Sequence, residues 1–176
     1  MDRVNVRIFG NSAQLDHAIP AFHSWIQQGT GDELLIDVVD YRHVPGGPGV
    51  VLIGHEADYG LSETPEGIAL TYSSKARREG SDAEKIAVAF ERVITASRRL
   101  TMYSFDASAC ELIVNDRIGT PNTDANWQVL EQAIVAAFGA SVKVSRPGKI
   151  RTRLTARVSS KTDLAVSPLP QNAAAL

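Results

Sequence analysis

Three ionisable residues close an apolar run: His55, Glu56 and Asp58 follow residues 50–53 (VVLI) and Gly54. Buried charges need partners, so a strand ending in such a triplet is expected to surface and line a cleft. On an extended strand His55 faces one way and Glu56 and Asp58 the other. Two carboxylates on one face can share a proton or hold a hard cation, which makes Glu56 and Asp58 the candidate metal ligands. His55 could join them as acid or base only if the strand bends, which Gly54 would permit. The plain alternative is a strand leaving the core with solvated carboxylates. The pattern is not the H-E-x-x-H zinc helix, because the second His is missing.

A second apolar stretch, residues 109–114 (ACELIV), runs out in Asn115, Asp116 and Arg117. A loop and a helix start follow, and ligands favour strand ends and helix N-termini in sheets with helical crossovers. Asn115 and Arg117 are therefore candidate ligand-binding residues. Asp116 joins His55, Glu56 and Asp58 as a candidate catalytic set, provided the two strand ends share a cleft. The alternative is a helix cap supplied by Asn122, Thr123 or Asp124.

Charge is segregated along the chain. Residues 32–66 carry eight acidic side chains against Arg42, whereas residues 143–161 carry seven basic ones and no acid. In the last strand Arg151, Arg153 and Arg157 alternate with Ile150, Leu154 and Val158, giving a basic stripe for an anionic ligand or an acidic partner. The bland reading is an edge strand kept unpaired by its charges. Nucleic acid is disfavoured, since no aromatics interleave with the arginines and net charge is −2.

The elements that must position these residues follow from periodicity. Val4, Val6 and Ile8 alternate with polar neighbours as a first strand. Leu15, Ile19, Phe22 and Ile26 mark a helix, with Pro20 either kinking it or opening its regular part. Residues 33–44 and 50–59 read as a hairpin across PGGPG, with Asp37 opposite the His55–Asp58 segment, and residues 68–73 as a further strand. Ser81 and Glu84 form a capping box before a stripe of Ile86, Phe90, Val93, Ser97 and Leu100. Trp127, Leu130, Ile134 and Phe138 give a third helix, closed by Gly139. Residues 141–146 and 150–158 make a final hairpin.

The expected fold is α+β: one mixed, largely antiparallel sheet of about seven strands (β-α-β-β-β-α-β-α-β-β) with three helices mainly on one face, the alternative being three-layer α/β. Residues 1–158 form the domain and 159–176, without period, a flexible tail. The 176 residues include one cysteine, Cys110, and no apolar run of signal-peptide or spanning length, so a cytoplasmic, soluble protein is expected.

No nucleophile elbow, Walker loop or dinucleotide fingerprint is present. The chain therefore reads first as a binding or accessory protein for a protein partner or small anionic ligand, with homo-oligomerisation through a sheet edge open to it. The second reading is a small metal- or carboxylate-assisted enzyme catalysing hydrolysis or proton transfer, with its cleft at the end of strand 50–59. The sequence fixes no cofactor; a divalent metal at Glu56 and Asp58 is the single candidate.

Overall fold

The computed structural model describes residues 1, 3–11, 15–29, 33–75, 77–147 and 152–166. The chain runs β1 (Val4–Gly10), α1 (Ala18–Gln28), β2 (Leu35–Asp40), β3 (Val50–Gly54), β4 (Ala57–Thr64), β5 (Gly67–Ser74), α2 (Asp82–Arg99), β6 (Ala109–Val114), α3 (Asp124–Phe138), β7 (Lys143–Ser145) and β8 (Thr155–Ser159). All eight strands join one sheet in the order β2-β3-β4-β5-β1-β6-β8-β7, and every adjacent pair is antiparallel. This is the expected α+β fold with one strand more.

The extra strand comes from the stretch that carries the ionisable triplet. The strand read over 50–59 stops at Gly54, turns through His55 and Glu56, and returns as β4. Residues 60–64 also belong to this strand. Its signal is a period of two: Ala57, Tyr59 and Leu61 are buried, while Asp58, Gly60 and Ser62 are only partly so.

One face of the sheet is closed. Val6, Ile8, Leu52, Leu61, Leu70, Leu112 and Ala156 are fully buried against helix residues such as Phe22, Ile86, Val93 and Ile134. Burying a large aliphatic side chain is worth roughly 1.5–3 kcal/mol, so this layer carries most of the driving force. Phe90 and Phe138 join α2 to α3 edge-on, with ring centroids 5.0 Å apart. An aromatic ladder, Phe22–Trp25–Tyr59–Tyr72, runs from α1 across β4 to β5.

Local signals placed the helices. Pro20 falls in the first turn of α1, where its missing N–H costs nothing, and a short 3-10 turn (Leu15–His17) leads into it. Gly29 caps α1 at φ 57°. The capping box of α2 is present: Ser81 N–H donates to Glu84 Oε2 at 2.6 Å and Glu84 N–H to Ser81 Oγ at 3.3 Å. In α1 the deeply buried residues are Ala18, Phe22 and Trp25, joined by Leu15 from the preceding turn; Ile19 and Ile26 are partly buried.

Two expectations are corrected at the C-terminal side. β8 lies between β6 and β7, so the basic strand is not an edge; the edges are β2 and β7. Residues 160–166, assigned to a flexible tail, pack instead: Ser160 N–H donates to Ser108 O, Leu164 N–H donates to Ala107 O, and Leu164 is 6% exposed. The rest of that segment, 167–176, lies outside the described residues, as do Ile150 and Arg151. Among the described residues no helix is long and apolar enough to cross a membrane.

Candidate functional site

Among the described residues the second face of the sheet carries no helix, and there the strand register assembles a polar floor. Asp58 on β4, Ser73 on β5, Asn5 on β1 and Ile113 on β6 are cross-strand neighbours in one row. Gly60, Thr71, Arg7, Glu111 and Arg157 make the next row. Strands lie ~4.8 Å apart and alternate residues ~6.8 Å apart, so Arg7 is within reach of both rows.

A groove of ≈ 550 Å³ lies over this floor. Val51 and Ile53 line its β3 side, and Arg153 reaches in from the segment leading to β8. Tyr41 and residues 46–48, from the β2–β3 connection, form its rim. Gly49 anchors that rim: its φ is 73°, and a Cβ there would strike Leu61 O, so only glycine fits.

Arg7 is the centre of the electrostatics. Its Nε donates to Thr71 Oγ1 at 3.2 Å and its Nη1 lies 3.4 Å from Glu111 Oε2. Glu111 is shared, because Arg157 Nε stands 3.5 Å from its other oxygen. Both contacts are longer than the ~2.7–2.9 Å of a strong charge-assisted bond. One carboxylate thus serves two guanidiniums loosely. Arg157 is held more firmly by Glu66, at 2.7 Å, which raises its pKa.

Asp58 is the one residue of the predicted catalytic set that lines the groove. Its Oδ1 is ion-paired with Lys75 Nζ at 2.5 Å, and Lys75 also donates to Gly54 O at 2.9 Å. Asn5 is 9% exposed, lines the groove, and its Oδ1 accepts no hydrogen bond. A buried amide oxygen without a partner is uncommon and costly, so this atom marks a place where a donor belongs.

The other predicted residues lie elsewhere. His55 is exposed in the β3–β4 turn, its N–H donating to Leu34 O at 2.8 Å. Glu56 pairs with Arg78 at 2.8 Å. Asp116 accepts from Gly119 N–H at 2.8 Å and closes its own loop, while Asn115 N–H donates to Arg3 O. Arg117 is exposed in that loop. Helix α3 is capped by Thr123, one of the three expected caps. Asp37 lies opposite Ile53 rather than the ionisable triplet, and its carboxylate bonds the N–H of Val38 at 2.8 Å. The cleft expected at the end of strand 50–59 is therefore replaced by a tight turn. Of the four, His55, Glu56 and Asp116 do not line the groove that Asp58 lines. Glu56 and Asp58, the expected metal ligands, each face their own cation, Arg78 and Lys75, and no three His, Cys, Asp or Glu side chains converge among the described residues.

Sequence reasoning missed Asn5, Arg7, Thr71 and Ser73. Their signal was the alternation of the first and fourth predicted strands, whose polar positions had to share a face once those strands paired. Glu33 was missed too: its carboxylate accepts from Ala57 N–H at 2.6 Å and Tyr59 Oη at 3.2 Å, pinning the β3–β4 turn.

No family model matches this chain, and no similar curated protein or solved structure is found.

Proposed function

We propose that the protein is a binding protein that holds a small anionic ligand against the open face of its sheet. The observation carrying this reading is the loosely paired Arg7 on the groove floor, with Arg153 beside it and hydroxyls at Thr71 and Ser73. Guanidiniums suit carboxylate and phosphate because their planar donors match two oxygens at once. Val51, Ile53 and Ile113 supply apolar walls, as ligand grooves commonly combine such surfaces with a few fixed polar groups.

Calorimetric titration at low ionic strength with inorganic phosphate, succinate and citrate tests the reading. At least one should bind, and Arg7→Gln should weaken it tenfold or more. Binding to none of the three, or equal affinity in the variant, contradicts it.

A protein partner is the second reading, and a different observation favours it. Edge strand β2 and the residue before it expose Leu34 (68%) and Ile36 (54%), apolar surface beside unpaired strand edge. For carboxylate-assisted catalysis no comparable observation speaks, since of its four candidate residues Asp58 alone lines the groove.

A further inference from the structure

We infer that the ligand held at Arg7 is a carboxylate with one charge and a short apolar tail; the inference rests on the anion-binding reading above and names the class of ligand. The groove is polarised across the strands. Both cations that line it stand towards one end, Arg7 on β1 and Arg153 on the segment leading to β8. At the other end it is lined by Val51 and Ile53 of β3 and by Tyr41 and Pro48 of the rim. Asp58 borders that end too, and its carboxylate is already engaged by Lys75. A second anionic group of the ligand would meet Asp58 there, with no cation among the described lining residues of that end to receive it. A groove with unlike ends suits a ligand with unlike ends, its orientation fixed by a few polar groups.

Gly60 connects the two ends. It sits on β4 between Val51 of β3 and Thr71 of β5, and Thr71 in turn is the neighbour of Arg7. Its φ is not positive, and a Cβ there would meet only Pro48 O, at 3.7 Å, an ordinary contact. Neither backbone nor crowding therefore demands glycine, which weakens a strand interior. Within a strand, glycine often marks the close approach of a ligand. Here it leaves a bare strip of floor beside the rim. Backbone bonds fix that rim: Tyr41 N–H donates to Gly49 O at 2.7 Å and Gly47 N–H to Val44 O at 2.9 Å. Between β1 and β3 lie β5 and β4, so the two strands are ~14 Å apart. Arg7 leans across the first spacing to Thr71 Oγ1, which leaves ~10 Å to Val51. A chain of about six to eight carbons spans that distance. The carboxylate then faces Arg7, and the tail crosses Gly60 to Val51 and Ile53.

Calorimetric titration with butanoate, hexanoate and octanoate, beside succinate and octylammonium, tests the class of ligand. Affinity should climb about threefold per added methylene, because each removes apolar surface from water. Octanoate should bind more tightly than succinate, and octylammonium, with the tail and no anion, should not bind. Gly60→Val fills the strip and should lower the ratio of octanoate to butanoate affinity about tenfold. Val51→Thr keeps the shape of the wall and adds a hydroxyl; it should lower the same ratio about twofold, and it serves if the Gly60 variant fails to fold. Succinate binding with a flat carboxylate series would overturn the inference and leave the anion-binding reading in place. Binding of no anion would overturn both. Octylammonium binding as tightly as octanoate, or a tail preference that survives the substitutions, would also overturn the inference.

Discussion

Cys110 shows how far environment outweighs residue type. It is 2% exposed on the closed face of β6, and burial pushes its thiol up to about 12 from 9.0, with the neighbouring Glu111 adding to the shift. The folded protein therefore keeps its proton where the unfolded chain would lose it. For a group whose folded pKa is raised, the unfolded state binds fewer protons between the two values, so stability falls as pH rises from about 9 towards 12. The expected outcome is a thiol that a disulfide reagent does not label at pH 8 until denaturant is added, with a melting temperature that declines above pH 9. Rapid labelling of the native protein at pH 8 would contradict the burial. The inert core role was legible in the sequence, because Cys110 alternates with Leu112 and Val114. The place of Arg7 on the groove floor was not: one arginine in an alternating strand reads as a solvated position until its strand is known to be central.

At the scale of elements, strands with helical partners were easier to place than strands that double back on one another. Helix α2 announced itself through Ser81 and Glu84, and α3 through Thr123 and Gly139, because caps are local chemistry. The β3–β4 turn has no such mark. His55 and Glu56 are not turn formers, and what holds the turn is remote: Leu34 O on the His55 N–H and Glu33 on the Ala57 N–H. The apolar count also ran on through Ala57 and Tyr59, which hid the reversal. Edge strand β2 illustrates the same dependence on context. A register irregularity between Leu35 and Asp37, together with the Asp37 carboxylate on the Val38 N–H, guards an edge that otherwise exposes Leu34 and Ile36. Such devices keep edges from pairing between molecules. Asp37→Ala should free that amide and remove a charge, shifting sedimentation towards dimers or larger species at high concentration. Unchanged monomer content in the variant would show that the guard is not needed.

For the whole molecule, the strand order separates two faces of different character, one packed against the helices and one lined by the groove. β1 sits between β5 and β6, although β2 to β5 come between β1 and β6 in the chain. That insertion brings Asn5 and Arg7 to the middle of the sheet, with Asp58, Thr71 and Ser73 on one side and Glu111 and Arg157 on the other. Alternation predicts which residues share a face within one strand, not which strands are neighbours, so the groove was invisible in the sequence while its individual polar positions were not. The charge segregation noted along the chain is resolved in the same way. Arg146 is bound to Asn122 and Asp124 at the start of α3, and Arg157 to Glu66 and Glu111, so these two basic side chains serve internal contacts. Arg153 alone of the predicted stripe lines the groove among the described residues.

The central claim is that the helix-free face binds an anion through Arg7. Amide chemical-shift mapping of the isotope-labelled protein, titrated in turn with inorganic phosphate, succinate and citrate, tests it most directly. For the tightest of the three, shifts should concentrate at residues 5–7, 58–62 and 71–73, while residues 86–93 of α2 on the opposite face stay unmoved. Shifts centred on the helices or the sheet edges, or no shifts with any of the three, would contradict the account.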